Sequence, residues 1–447
     1  MKHVDSIING RWVIPVADND KQPSDTVLEN HAIVINNGSI LTILPSDDAK
    51  QQFHSDSITQ LDQHALIPGL VNSHTHAAMN LFRGIADDLP LMTWLNEHIW
   101  PAEQQWVNKE FIRDGSTLAI AEMLRGGTTC FNDMYFYPDV TAKVAVESGI
   151  RCCVGLLMLD FPTVWAKNTD EYLSKGIAVH DEFKNESLIS TAFAPHAPYT
   201  VSDEPINKIR TFADEMDISI HMHIHETADE VAQAVNNSGK RPLQRLHELG
   251  LLTPRLLAVH MTQLTENEIA LCAEQGVHII HCPESNMKLA SGFCPVSQLI
   301  AAGANIALGT DGAASNNDLD MFGEMRTAAL IAKGVAKNAS ALPAAHALYC
   351  ATMGGAKALG LDSKIGSLSA GKYADITAVD LSDIETRPVF DPISHLVYCA
   401  GRHQVSDVWV NGKHVLNQRQ LSTLDINTIQ EKCTAWQQKM TGKENTS

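Results

Sequence analysis

Two histidines separated by a single residue lie directly after an apolar run near the start of the chain. The run at residues 65–71 is followed by NSHTH, which places histidines at positions 74 and 76. On an extended strand, side chains two residues apart point to the same face. Two neutral imidazoles on one face can hold a divalent metal ion together. An isolated His-x-His pair is weak evidence, so this interpretation depends on the rest of the chain.

Other apolar runs of the chain also end in residues that bind metals or move protons. These residues are His74 and His76 after the first run, then His196, His223 with Glu226, His260, His281 and Asp311. In a barrel, the carboxyl ends of the strands meet on one face, where active sites lie. We therefore predict that these side chains converge. A single such histidine is more often structural, and we assign His180, His247 and His278 to that class.

A catalytic metal site can be assembled from these residues. His223 and Asp311 would complete, with the first pair, a three-histidine and one-aspartate set that leaves a position for water, the open arrangement of catalytic sites. Such a ligand set suits Zn²⁺ or Fe²⁺ and discriminates poorly between them. The segment HMHIHET leaves the third histidine open, because His221, His223 and His225 share one face of a strand.

The spacing of the apolar runs predicts the fold that must position these residues. Eight buried-strand candidates alternate with helix-length segments over about 300 residues, which matches an α/β fold of the (β/α)8 TIM-barrel type. The candidates are ALIPGLVNSH, GTTCFNDM, RCCVGLLML, LISTAFAPH, ISIHMHIHE, LLAVHMT, VHIIHCPE and NIALGTDG. A doubly wound open sheet is the alternative, but no G-x-G-x-x-G loop follows the first strand.

The two ends of the chain differ from its middle. SIINGRWVIP, HAIVINNGSILTILP and VSDVWVNGKHVLN carry strand-like runs around Asn-Gly, which is typical of β-hairpins. We predict two domains on this basis. A small β-sandwich domain is built from both termini, residues 1–64 and 366–447, and a metal-dependent TIM-barrel catalytic domain comprises residues 65–365.

Composition excludes several classes of partner. Of the 447 residues 44% are hydrophobic, and no apolar run is long enough to cross a bilayer. The net charge of −19, from 33 basic and 52 acidic residues, disfavours nucleic acid or a membrane as partner and favours a small molecule. The first residues show no signal-peptide pattern, and nine scattered cysteines form no CxxC pair. We therefore expect free thiols and a cytoplasmic protein.

Seven segments, in this order, resemble those of the amidohydrolase superfamily. They are PGLVNSHTH, LMTWLNEHIWPAE, APHAPYT, HIHETADE, HCPESNMKL, LGTDGAASNNDLDMFGEMR and AGKYADI. The segments TWL…IWPAE and HAPYT narrow the resemblance to the deaminases of 5'-methylthioadenosine and S-adenosylhomocysteine, and it covers nearly the whole chain. It implies a hydrolase that converts the adenosine-type substrate to the inosine analogue and ammonia. It also implies a homo-oligomer.

The resemblance implies a ligand set for one divalent metal ion, with Zn²⁺ favoured over Fe²⁺. The ligands are His74, His76, His223 and Asp311. The family pattern H-x-x-E places the ligand three residues before the glutamate, which selects His223 from the three histidines of its strand.

The resemblance also implies the catalytic and substrate-binding residues. Glu226 is the general acid/base, His260 is the partner of the hydrolytic water, and Asp311 accepts a proton. Glu103 anchors the ribose hydroxyls and His196 contacts the substrate, while Glu226 and Asp311 take part in substrate binding as well. Trp94 is a candidate for the pocket wall.

One departure from the family bears on the substrate. Members of this branch that use both nucleosides often hold the homocysteine carboxylate with an arginine before PHAPY, and the corresponding region here offers only Lys167, Lys175 and Lys184. The resemblance then favours the uncharged 5'-methylthioadenosine over S-adenosylhomocysteine. The alternatives are a superfamily deaminase or chlorohydrolase acting on guanine, cytosine or a triazine, adenosine itself as substrate, or a scaffold without activity.

Overall fold

Eight parallel strands form the larger part of the fold. A computed structural model describes residues 1–17 and 25–442. The spatial order of the eight strands follows their order in the chain. They are Leu70–Thr75, Thr128–Asp133, Arg151–Met158, Ile189–Pro195, Ser219–Ile224, Leu256–His260, His278–His281 and Ile306–Leu308. They alternate with helices in a nearly closed TIM barrel, which confirms the predicted fold class.

Helices follow each barrel strand, and several of them begin at a side-chain cap. Asn168, Thr227 and Thr265 each accept the backbone N–H three residues ahead, which satisfies a donor that the first helical turn leaves open. The helices of this part are Leu91–Thr93, Trp100–Trp106, Lys109–Arg125, Pro138–Ser148, Thr169–Phe183, Asp203–Met216, Ala228–Ser238, Pro242–Glu248, Glu266–Glu274, Pro283–Lys288, Val296–Ala301, Ala313–Asn316 and Met321–Ala336.

The remaining helical segments are shorter or lie near the ends of the chain. Further α-helices are Ser46–Gln52, Ala344–Tyr349, Gly355–Ala358, Pro392–Tyr398 and Ile426–Thr441. Short 3₁₀ or π-helical turns occur at Ala77–Phe82, Trp94–Ile99, Cys350–Gly354, Ile384–Thr386 and Arg402–Gln404. No helix within residues 1–17 and 25–442 combines the length and apolar character needed to span a bilayer.

A second eight-stranded sheet is built from both ends of the chain, as predicted. Its strands, in spatial order, are Gln420–Leu421, Lys413–Asn417, Val405–Val410, Ile376–Asp380, Ile58–Pro68, Ser6–Val13, Leu28–Asn36 and Ser39–Pro45. Neighbours are antiparallel except for the parallel pair of Ser6–Val13 and Ile58–Pro68. Ile8, Ile33, Leu66 and Trp409 belong to its buried apolar core. Lys2–His3 and Phe53–His54 pair separately.

The apolar run at residues 65–71 is divided between the two sheets. Residues up to 68 belong to Ile58–Pro68, and the first barrel strand begins at Leu70. Gly69 lies between them, and a Cβ at this position would be 2.0 Å from Thr129 Oγ1. Only glycine fits such a close approach. Sequence periodicity does not show the division, because both strands are buried there and together give one continuous apolar run.

The residues of the chain group into two compact units. One comprises Met1–Asn72, Met123–Cys130 and Asp320–Thr423, and the other comprises Ser73–Glu122, Phe131–Leu319 and Leu424–Ser447. Every side chain predicted to do chemistry belongs to the second unit. The predicted domain boundaries, after residues 64 and 365, stay a prediction.

Candidate active site

Four side chains from separate strand ends meet at one point of the barrel. Ligand atoms of His74, His76, His223 and Asp311 all lie within 4.8 Å of one another. His74 Nε2 is 3.2 Å from His223 Nε2, and Asp311 Oδ1 is 3.2 Å from Nε2 of both His74 and His76. Three of the four residues are buried and His76 is half-buried. The structure thus brings together the four residues that the resemblance implied.

Backbone hydrogen bonds fix the strand ends that carry these side chains. The Asp311 N–H donates to the His74 carbonyl at 3.0 Å, and Thr75 Oγ1 donates to the Asp311 carbonyl at 2.9 Å. The His223 N–H donates to the His196 carbonyl at 3.0 Å. The first and eighth strand ends are therefore tied to each other, as are the fourth and fifth.

Two of the histidines are oriented by hydrogen bonds from their other ring nitrogen. His76 Nδ1–H donates to the Met134 carbonyl at 2.6 Å, and His223 Nδ1–H donates to the His196 carbonyl at 2.9 Å. Each bond places the proton on Nδ1 and leaves the Nε2 lone pair facing the centre of the cluster. Metal-binding histidines are typically held in this way.

The ring of His74 contacts His221, a residue whose supporting role the sequence did not predict. His74 Nδ1 and His221 Nε2 are 2.9 Å apart, and Asn132 Nδ2 lies 3.2 Å from His221 Nδ1. A ligating Nε2 requires the proton on Nδ1, so His221 Nε2 is the available acceptor. Burial lowers the pKa of His221 well below its ordinary value, which keeps that nitrogen able to accept.

The carboxylate of Asp311 is held by two hydroxyl groups on one side. Oδ2 accepts from Ser285 Oγ at 2.6 Å and from Ser315 Oγ at 2.8 Å, while Oδ1 faces the histidines. Burial opposes the charge of this group, but contacts with His74 and His76 hold the pKa of Asp311 well below its usual range. A charged carboxylate therefore lies buried among imidazoles.

The charges of the cluster fit a divalent cation. Burial lowers the pKa of His74 to about 4, so this imidazole is neutral, as a ligand must be. For His76 burial acts in the same direction, yet hydrogen bonding to Asp311 raises its pKa to about 9. The buried carboxylate thus requires a positive charge beside it, and a dication supplies one. Three nitrogens and one carboxylate oxygen match the ligands that Zn²⁺ accepts.

Gly309 lets the eighth strand approach the first at this site. A Cβ at position 309 would be 2.8 Å from the backbone nitrogen of His74 and 2.9 Å from its Cβ. We expect Gly309→Ala to cost about 1–3 kcal/mol of stability through overpacking, and to lower metal content by moving His74. The matched control is Gly334→Ala in helix Met321–Ala336, where the added Cβ would meet no atom within 4 Å outside the helix's own backbone in the described part of the chain. Thermal unfolding and metal analysis of both variants would test this, and equal values would contradict it.

Two polar side chains lie next to the metal ligands without belonging to them. Glu226 is buried, with Oε2 3.9 Å from His260 Nε2, and His260 Nδ1–H donates to Asn286 Oδ1 at 2.8 Å. Burial raises the pKa of Glu226 above its ordinary value, which favours the protonated form of the carboxyl group. A protonated carboxyl beside an imidazole of fixed tautomer can deliver a proton to a bound molecule.

A second carboxyl group faces the same cavity. Glu103 Oε1 accepts a hydrogen bond from the Tyr135 hydroxyl at 2.7 Å, and burial raises the pKa of Glu103 to about 7. His196 is half-buried, with Nδ1 3.1 Å from Thr200 Oγ1, and burial lowers its pKa to about 3. Sequence reasoning missed Tyr135, whose only signal was its place just after the second barrel strand.

Two histidines at strand ends lie outside the group of ligands. His281 is buried at the end of the seventh strand, and neither of its ring nitrogens has a partner in the described part of the chain. His225 Nε2 accepts the Leu243 N–H at 3.2 Å, and His225 is not part of the cluster of His74, His76, His223 and Asp311. A position at a strand end was therefore not sufficient to make a histidine a ligand.

These groups line a cavity of about 780 Å³. Its carboxyl-bearing lining residues are Glu103, Glu226 and Asp311, and among the described residues no lysine or arginine lines it. The rest of the wall is largely apolar and includes Leu91, Trp94, Leu95, Trp100, Phe161 and Leu289. The volume and the few convergent polar groups are typical of a small-molecule site.

Comparisons with known proteins agree with this geometry. The model of the amidohydrolase family matches residues 65–415. The 5-methylthioadenosine/S-adenosylhomocysteine deaminase of Saccharophagus degradans is 49% identical, covering 98% of this chain and 97% of its own. The structure of an adenosine deaminase from Xanthomonas campestris with bound zinc gives a TM-score of 0.96 at 52% identity, covering 99% of each chain.

A more distant structure shares the fold alone. The zinc complex of atrazine chlorohydrolase TrzN from Arthrobacter aurescens TC1 gives a TM-score of 0.89 at 23% identity, over 96% of this chain and 99% of that one. The resemblance inferred from the sequence is confirmed by the relatives of higher identity. The chain belongs to the amidohydrolase family.

Proposed function

We propose that the protein is a metal-dependent deaminase that hydrolyses 5'-methylthioadenosine to its inosine analogue and ammonia. The observation that carries this proposal is the buried Glu226, which lies beside His260 and next to the ligand cluster in one cavity. The relatives of high identity are named as deaminases, which agrees with the predicted enzyme class. Guanine, cytosine and triazine substrates are not favoured by these relatives.

The metal ligands in this proposal are His74, His76, His223 and Asp311. When bound by them, a divalent ion supplies Lewis-acid activation of water near neutral pH. Asp311, whose carboxylate is charged and held by two hydroxyl groups, is placed to accept a proton from the attacking water. The chain itself therefore provides the base for the first proton transfer.

The second proton transfer falls to Glu226. Its carboxyl group, whose protonated form is favoured by burial through a raised pKa, donates to the adenine ring nitrogen next to C6. His260 is placed to hydrogen-bond the oxygen that adds to C6, with its ring held by Asn286. The proton taken up by Asp311 then passes to the amino nitrogen, the C6–N bond breaks and ammonia leaves. The proton donated by Glu226 stays on the ring nitrogen, and the hydroxyl proton at C6 restores the Glu226 carboxyl group as the carbonyl forms. Other zinc deaminases also use a glutamate that is not a metal ligand as the general acid/base beside the activated water.

Glu103 and His196 bind the nucleoside in this proposal. The Glu103 carboxyl accepts from Tyr135 through one oxygen, which leaves the other for the ribose hydroxyls. His196 is neutral and lines the cavity on the side of His223, with their ring centroids 4.9 Å apart. Glu226 and Asp311 also line this cavity, and in this proposal they contact the base.

The cavity favours an uncharged group at the 5' position. S-adenosylhomocysteine carries an ammonium and a carboxylate on its tail, and burying either without a partner is costly. Within residues 1–17 and 25–442, no lysine or arginine lines the cavity. Of the three lysines in the sequence region before PHAPY, Lys175 pairs with Glu171 and Lys184 with Asp181. A methylthio group meets an apolar wall at no such cost.

Two broader features complete the proposal. None of the nine cysteines, all of which lie in the described part of the chain, forms a disulfide, and this supports a cytoplasmic location. The family resemblance supports a homo-oligomer. The nucleoside is the partner of the active site, and no nucleic acid or membrane is required for the reaction.

An ammonia-release assay over a panel of substrates tests the function. We expect the highest kcat/KM for 5'-methylthioadenosine, with S-adenosylhomocysteine lower by about tenfold or more because its charged tail is desolvated. Adenosine serves as the substrate without the tail, and guanine and a chlorotriazine as negative controls. Release from guanine or from the triazine alone would overturn the proposal. A protein that binds no metal and releases no ammonia from any of them would be a scaffold.

A further inference from the structure

Glu230 binds the backbone of the residue proposed as the general acid/base. Its Oε2 accepts the Glu226 N–H at 2.7 Å, and its Oε1 accepts the His225 N–H at 3.1 Å. The Glu230 side chain is buried, with 9% of its surface exposed. Both oxygens of one buried carboxylate are thus used on two consecutive peptide groups, and one of these belongs to Glu226.

Helix capping alone does not account for this arrangement. Thr227 and Glu230 have capping-box spacing at the start of helix Ala228–Ser238, and Thr227 Oγ1 accepts the Glu230 N–H at 3.1 Å. In the complete capping box of the next barrel unit, Glu268 Oε2 accepts the N–H of its own N-cap Thr265 at 2.8 Å. The Glu230 carboxylate reaches past its N-cap, to the two residues that precede it.

Thr262 binds the backbone carbonyl groups of the same two residues, His225 and Glu226. Thr262 Oγ1 donates to the Glu226 carbonyl at 2.7 Å, and the Thr262 N–H donates to the His225 carbonyl at 3.0 Å. Between these contacts His225 has a φ of 53°, a left-handed conformation that costs a non-glycine residue about 1 kcal/mol or more. The hydrogen bonds therefore maintain a backbone turn that would not persist without them.

We propose that Glu230 is a positioning residue that, together with Thr262, fixes the peptide of Glu226 so that its carboxyl group faces His260 and the cavity. This inference rests on the proposed deamination. Glu230 is absent from the lining of the cavity, so its effect on the reaction passes through Glu226. Errors of about 1 Å in the placement of a catalytic group can cost as much as 10²-fold in rate.

Glu230→Gln tests this inference while keeping the shape of the side chain. Glutamine offers one acceptor oxygen for two N–H groups, so the Glu226 peptide loses part of its support. We expect kcat for 5'-methylthioadenosine to fall by about tenfold or more, with KM within about twofold and unchanged metal content. Thr262→Val should give the same pattern from the other side, and it replaces the first variant if that one does not fold.

Thr227→Val is the matched control. It removes the N-cap of the same helix, at a cost of about 1 kcal/mol, and leaves the Glu230 carboxylate in place. We expect its thermal midpoint to fall and its kcat to stay within about twofold of the wild type. An equal loss of kcat in both variants would show that helix stability, and not the contact with Glu226, governs the rate.

The double variant of Glu226 and Glu230 tests whether Glu230 affects the rate through Glu226. In a Glu226→Gln background, Glu230→Gln should change the residual kcat by less than about twofold, because the positioned group is already absent. Additive losses would show that Glu230 acts elsewhere and would overturn the inference. A wild-type protein inactive on every adenosine would refute the proposed function itself. An active wild type with a normal Glu230→Gln variant would refute this inference alone.

Discussion

Glu226→Gln is expected to lower kcat for deamination by at least about 10²-fold, the usual size of an acid–base contribution, while metal content stays unchanged. The amide has nearly the same shape as the carboxyl group but cannot transfer its proton to the ring nitrogen. Glu226 is not among the four clustered ligands, so the metal should remain. Steady-state rates and metal analysis of one preparation would check both parts.

The pH dependence of the same variant gives an independent check. Burial raises the pKa of Glu226, and the required form is the protonated one. Wild-type kcat should therefore fall as pH rises through that pKa, and this basic limb should be missing from the residual activity of Glu226→Gln. Near-normal deamination by the variant would remove Glu226 from the mechanism. An unchanged basic limb would assign that titration to another group.

The fold and the convergence of strand-end side chains could be predicted because both follow from position along a strand, whereas the choice of His223 over His221 and His225 required the family pattern. Parallel strands buried on both faces give apolar runs, and a polar residue at the end of each run lies at the carboxyl end of the barrel. His74 and Asp311 are more than 200 residues apart in the chain, yet Asp311 donates its N–H to the carbonyl of His74. Strand-end position is therefore nearly equivalent to position in space for these residues.

The parts that could not be predicted depend on contacts that leave no periodic trace. The bond from Tyr135 to Glu103 joins a strand end to a helix, and neither sequence segment indicates it. Glu230 has capping-box spacing, and only the path of its side chain shows that it contacts Glu226. Gly69 marks the point where one apolar run becomes two strands, but glycine occurs in runs for many reasons.

Three histidines at alternate positions of the fifth barrel strand and its end, His221, His223 and His225, can each be replaced by glutamine, and we expect three different effects on metal binding. Replacing His223 by glutamine removes a ligand, and we expect metal affinity to fall by more than about 10²-fold, with loss of deaminase activity. His221→Gln removes the partner of His74 and should weaken metal binding by about 10- to 100-fold, as losses of supporting residues do. His225→Gln should retain its metal. Metal content after dialysis against a graded chelator would rank the three.

The three histidines share one face of the strand, so the expected ranking follows from the position of each one relative to the carboxyl end of the strand. The ring of His221 lies one strand step deeper, where its Nε2 meets His74 Nδ1 at 2.9 Å. His225 lies past the strand end in a left-handed turn, and its Nε2 accepts the Leu243 N–H. Only His223 stands at the level where strand ends converge. A His225→Gln variant that lost its metal as readily as His223→Gln would show that the ligand had been assigned to the wrong step of the strand.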